Sequence, residues 1–147
     1  MKAELQTFFS YPCRDRRLLV YAWLLLLLVD LALRMLPFRK VHAWIESSRP
    51  KNKVALPGQA ESAIHHTSDF LDRAARHHLY PMTCLRRSLA LQWLLSRQGL
   101  DTVLQFGVRR EQGNLQAHAW LEYQGQVIGE TIVPVEQYNR LKAKGVV

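Results

Sequence analysis

Residues 84–99, CLRRSLALQWLLSRQG, set Leu85, Leu89, Ala90, Leu91, Trp93, Leu94 and Leu95 around much of a helical circumference and end on Gly99, where a C-cap glycine belongs. The reading is a buried helix over Leu85–Arg97, entered through Pro81-Met82-Thr83. Downstream the period changes from about 3.6 to 2. Val103–Val108 is rich in branched and aromatic residues, Ala117–Tyr123 alternates, and Gln126–Ile132 is again branched, with Gly113-Asn114 and Gln124-Gly125 as turn signals. Upstream, Ala63, Ile64, Phe70, Leu71, Ala74, Ala75 and Leu79 make 60–79 one amphipathic helix, ended by Pro81. Two helices followed by three antiparallel strands predict an α+β fold, with the buried helix on one face of a small sheet.

At 147 residues, with 48% apolar and 22% charged residues, the chain suits one domain with an ordinary core; a disordered chain and a two-domain enzyme are excluded. Pro37 is the first break, and Ser47–Lys53 with Pro57-Gly58 reads as a linker. Residues 1–58 are therefore an N-terminal helical segment and linker of the same domain, and 59–147 the core that carries the chemistry. The net charge is +8, but residues 1–60 hold ten basic and four acidic side chains, against ten and eight in 61–147. Basicity belongs to the N-terminal part, and nucleic acid is not an expected partner.

The apolar run Leu18–Val29 is twelve residues, or sixteen if it passes Asp30 to Leu33. At ~1.5 Å per residue it falls short of a ~30 Å hydrocarbon core. Arg14, Arg16 and Arg17 precede it and Arg34, Arg39 and Lys40 follow, so the charges give no orientation, and Asp30–Arg34 offers no small-x-small cleavage site. The expectation is a packed or surface-lying helix in a cytoplasmic protein, with membrane-surface contact through residues 18–33 left open.

Cys13 and Cys84 stand in settings too different for a disulfide framework. Cys84 falls at the start of the buried helix, where unpaired N–H groups and the positive end of the macrodipole favour a thiolate, the nucleophile of thiol hydrolases. A lone cysteine in an apolar helix is otherwise a small core residue. Alternation puts His118, Trp120 and Glu122 on one strand face and Ala117, Ala119, Leu121 and Tyr123 on the other. The His118 face, flanked by small residues, can pack on the start of the Cys84 helix, with His118 as general base toward the thiol and acid toward a leaving amine. Glu122 lies four residues along the same strand, roughly 13 Å away, too far to orient the imidazole. His65-His66 and His77-His78 are discounted as a zinc site, because eleven helical residues separate the doublets by ~16 Å. Arg109-Arg110 suits a carboxylate or a solvated strand end, and Trp120 a cleft wall or the core.

Three stretches then carry a family resemblance: Cys84-Leu85-Arg86-Arg87-Ser88-Leu89-Ala90-Leu91 with Leu94–Gly99; Phe106-Gly107-Val108-Arg109; and Ala117-His118-Ala119-Trp120-Leu121-Glu122 with Gly125-Gln126-Val127-Ile128. Over residues 81–130 the chain resembles the leader peptidases of lasso-peptide biosynthesis, the protease half of the B proteins, related to transglutaminase-like and papain-like thiol enzymes. The Leu-rich helix ending in Leu36-Pro37-Phe38-Arg39 is similar to their N-terminal helices. The resemblance implies N-terminal helices, a core helix carrying the cysteine, a small antiparallel sheet, and a Cys-His-acid triad matched by Cys84 and His118. Where the family has aspartate about a dozen residues after the histidine, this chain has Glu130. A two-residue loop at Gln124-Gly125 would pair Glu130 with Ala119 and turn it from His118, whereas a three-residue loop or a bulge would bring it to His118's face.

The resemblance implies a cysteine peptidase that removes the leader from a ribosomally made lasso-peptide precursor, without metal or cofactor. It also implies a separate leader-recognition protein and a macrolactam-forming cyclase as partners. The alternatives are a transglutaminase-type acyl transferase using the same Cys and His, and a non-catalytic membrane-associated scaffold.

Overall fold

The structure, a computed structural model, describes residues 12–50, 58–129 and 135–141. Its elements are α1 (Cys13–Met35), α2 (Phe38–Ser47), α3 (Ala60–Arg76), α4 (Cys84–Ser96), β1 (Val103–Glu111), β2 (Asn114–Tyr123), β3 (Gln126–Ile128), a 3-10 turn at Val135–Gln137 and β4 (Asn139–Arg140). This is the α+β fold, four helices with a small antiparallel sheet. Pro37 separates α1 from α2: Leu36 before it is extended (φ −127°, ψ 145°), as the proline ring requires of its neighbour. Gly99 follows α4 at φ +81°, the left-handed conformation expected of a C-terminal cap.

Several elements differ from the sequence reading, and α3, expected over 60–79, ends at Arg76. α1 has 23 residues, ~35 Å at ~1.5 Å each, so helical polar flanks lengthen it beyond its apolar run. By length and composition it is apolar enough to cross a membrane, and little more than a quarter of its apolar stretch is buried in the protein. The first hairpin turns at Gln112-Gly113, not Gly113-Asn114, because both residues take positive φ (49° and 84°), the two-residue turn that matches strand twist. β3 ends at Ile128 instead of Ile132; residues 130–134 lie outside the described residues. A fourth strand joins the sheet, in the order β3-β2-β1-β4. Nothing local announced β4, which is two residues long and pairs Asn139 and Arg140 with Val108 and Gly107.

One core joins all four helices to one sheet face. Ala22, Leu25, Leu26 and Val29 of α1, Val41 and Ile45 of α2, and Leu71 and Ala74 of α3 surround Leu89–Leu91 and Leu94-Leu95 of α4, which meets Leu121 of β2. Gln92, fully buried, donates to Glu46 Oε1 (2.9 Å) and to the Thr102 carbonyl (3.3 Å), tying α4 to α2 and to the approach of β1. Asp30, which interrupts the leucine run in sequence, is 3% exposed and pairs with Arg86 of α4 (2.8 Å) and Arg34 (3.0 Å). A buried carboxylate persists only when so compensated. Arg87 pairs with Asp72 of α3, so two ion pairs hold the first turns of α4 against its neighbours.

Candidate active site

Cys84 is the first residue of α4 and is partly exposed. Thr83 before it is extended (φ −69°, ψ 159°) and makes no side-chain cap hydrogen bond, and the first turn contains no acid. The leading N–H groups of α4 therefore lack the usual side-chain acceptor, at the end of the helix that favours negative charge.

One hydrogen bond docks this helix start on the sheet. Ser88, one turn after Cys84, donates from its buried hydroxyl to the Ala119 carbonyl at 3.1 Å. Phe106, opposite Ala119, gives its carbonyl to the Leu141 N–H on the β4 side (2.9 Å), so Phe106 and Ala119 are a non-hydrogen-bonded pair and the Ala119 carbonyl points toward the β3 side. The described β2–β3 ladder has already ended there, at Leu121–Ile128, and Ser88 supplies the donor. Four residues on, Gln92 reaches Thr102, beside the Val103–Glu122 end of the β1–β2 ladder. Thus α4 runs along β2 in the strand's own direction. Cys84, ~6 Å before Ser88, comes level with residues 117–118.

His118 is where β2 turns from exposed to buried, at 9% exposure. It does not lie on the face that the body of α4 covers. Leu121, with Leu104, Tyr123 and Ile128, packs under α4, whereas Trp120 clusters with Val135, Tyr138 and Val127 on the other face. The expectation that the His118–Trp120–Glu122 face packs on the helix is thereby corrected: the apolar side of β2 takes the apolar helix. Cys84 and His118 come to the same end of the α4–β2 contact, but the imidazole belongs to the second cluster.

That cluster holds the imidazole between aromatic rings. His118 lies 5.3 Å from Tyr138 (36° between planes) and 6.2 Å from Trp120 (20°), centroid to centroid. Trp120 is 1% exposed and donates from Nε1 to Glu122 Oε1 (3.1 Å), and Arg140 pairs with Glu122 at 2.8 Å. Glu122 is thus engaged with Trp120 and Arg140, and Trp120 is a core residue of this face. Gly107, opposite His118, makes the packing possible: a Cβ there would stand 2.8 Å from both Trp120 and Tyr138. Arg109 lies over Tyr138 (4.9 Å) and donates to Gln116 and Gln137 (3.0 and 2.7 Å), a structural use of the first of the two arginines.

The three-residue loop that would bring Glu130 to His118's face is not observed. Gln124 and Gly125, at φ 51° and 80°, form a two-residue turn between Tyr123 and Gln126. Strand alternation extends only to Ile128, since Gly129 leaves the ladder at φ +72° with its α-carbon packed against Leu91; a Cβ would stand 2.4 Å from Cδ2. Glu130 lies outside the described residues. Among the described residues no group of three or more His, Cys, Asp or Glu could hold a metal. The histidine doublets are used separately: His66 pairs with Asp15 (3.3 Å), and His78 lies tilted against Trp23, with ring centroids 4.8 Å apart.

The family model described as the transglutaminase-like superfamily matches residues 25–143, from the middle of α1 through β4. The chain belongs to the transglutaminase-like superfamily. No curated relative and no solved structure gives a significant match. Transglutaminase-like folds are commonly those of cysteine hydrolases and transferases, and the matched range includes α4 with Cys84 and β2 with His118. Ser88, Gly107 and Tyr138, which sequence reasoning did not single out as site residues, fix the start of α4 on β2 and hold the His118 ring. Only Gly107 had a sequence signal, as a glycine within a branched, aromatic strand.

Proposed function

We propose that the protein is a cysteine peptidase that removes the leader from a lasso-peptide precursor, with Cys84 as nucleophile, His118 as base and acid, and Glu130 as the orienting acid. The observation that carries this reading is the start of α4: a partly exposed cysteine on a helix terminus without a side-chain cap, docked through Ser88 one residue from His118.

His118 takes the thiol proton, and sulfur attacks the scissile carbonyl carbon. The tetrahedral oxyanion is held by N–H groups at the start of α4, and collapse expels the amine with the proton from His118, leaving a thioester. Water, deprotonated by His118, attacks the thioester; the C–S bond breaks, and the thiolate recovers its proton. A leader-recognition protein supplies the remote binding that positions the bond, and a macrolactam-forming cyclase acts on the freed core peptide.

The test mixes the protein with its precursor, with and without the recognition protein, and follows mass over time. Wild type releases an intact leader by hydrolysis, and Cys84→Ala abolishes release. Leader joined to an added amine instead of water would identify the acyl transferase, which the superfamily also accommodates. No reaction with the partner present would overturn the enzyme reading. A second measurement uses iodoacetamide at neutral pH: Cys84 is expected to alkylate faster than Cys13, an advantage that His118→Ala removes.

A further inference from the structure

Between Leu18 and Val29, α1 is apolar around its whole circumference, yet only one side of it enters the core. Ala22, Leu25, Leu26 and Val29 face the other helices, while Tyr21, Leu24, Leu28 and Leu31 are each about half exposed and Met35 is 75% exposed. The exposed set follows the 3-4 spacing of one helix face over about 21 Å. An aromatic edge continues it: Tyr21 accepts a hydrogen bond from Trp93 Nε1 (2.8 Å), and Trp44, 45% exposed, stacks on the same Trp93. A contiguous apolar face of this kind marks an interaction surface.

Charge decides between occupants. Arg14 and Arg17 are exposed at the start of α1, and Arg34, Arg39 and Lys40 are exposed at and just beyond its end. The acids of α1 are already paired, Asp15 with His66 and the buried Asp30 between Arg86 and Arg34, which leaves one positive charge in excess over that pair of arginines. Against a second copy of this face, parallel packing sets Arg17 on Arg17 and Arg34 on Arg34, and antiparallel packing sets Arg17 on Arg34. Like charges meet in both. Anionic lipid headgroups meet cations at both ends and hydrocarbon between them. We propose that this outer face of α1 docks the protein on an anionic bilayer, the helix lying in the interfacial plane and not crossing it. Crossing would draw α1 away from α4 and leave the Asp30 carboxylate in hydrocarbon without Arg86. The inference stands independently of the peptidase reading.

The test is flotation of the full chain with phosphatidylcholine vesicles, with and without phosphatidylserine. The protein is expected to float with the phosphatidylserine vesicles about tenfold or more better than with phosphatidylcholine alone, and to lose that binding with rising salt. The variant L24S/L28S/L31S, altered only at exposed positions, is expected to lose flotation while keeping its circular-dichroism spectrum and cooperative unfolding. If the variant does not fold, Arg14→Glu with Arg17→Glu replaces it, with the same expected loss. Absence of flotation by folded wild type overturns the proposal, as does a wild-type dimer in light scattering that the variant converts to monomer. Resistance of vesicle-bound protein to alkaline carbonate overturns the interfacial orientation in favour of crossing.

Discussion

The two faces of the sheet are built on different terms. Under α4, Leu104, Leu121, Tyr123 and Ile128 close a core to which four helices contribute, and specificity there comes from many interchangeable apolar contacts. On the other face, Trp120, Tyr138, Val135 and Val127 form a small cluster around His118, fixed by few contacts that have no substitutes. The large face governs stability, and the small face governs where one imidazole points.

The largest effect is expected on the helix side. Leu89 is fully buried, and Leu89→Ala should cost about 3–5 kcal/mol in urea unfolding, while the alkylation ratio of Cys84 to Cys13, measured under native conditions, stays unchanged. Asp30→Ala strands the partly buried Arg86 and should cost about 3 kcal/mol; replacing both residues by leucine should recover much of it. Gly107→Ala sharpens the contrast. It should cost about 1–3 kcal/mol by displacing Trp120 or Tyr138, yet reduce the Cys84 alkylation advantage more than Leu89→Ala does. A Gly107→Ala protein with unaltered thiol reactivity would erase the distinction between the faces. The smallest effect belongs to Ser88→Ala, about 1–2 kcal/mol for the Ala119 carbonyl left without its donor, with a fall in thiol reactivity as the start of α4 shifts.

The legible part of the site was its two ends. Helical spacing in 84–99 with Gly99 after it placed Cys84 at a helix start, and alternation in Ala117–Tyr123 sorted His118, Trp120 and Glu122 onto one face. Illegible was which face the helix would cover. A strand with apolar residues on both sides, Leu121 on one and Trp120 on the other, does not say which side meets α4. Loop length at Gln124-Gly125 was open for the same reason, since glutamine at positive φ carries little sequence signal.

Local sequence was enough for the leucine-rich, amphipathic and buried helices, the three main strands, the break at Pro37, the cap at Gly99 and the α+β class, because period, caps and turn residues act within a few positions of one another. Packing between distant elements settles that Asp30 answers Arg86, that Ser88 donates to the Ala119 carbonyl, that β4 and Tyr138 return to His118, and which side of α1 is left outside. Those pairings join residues 31 to 56 positions apart in the first two cases and 20 in the third. They depend on which surfaces the packed elements bury, a property no local window contains.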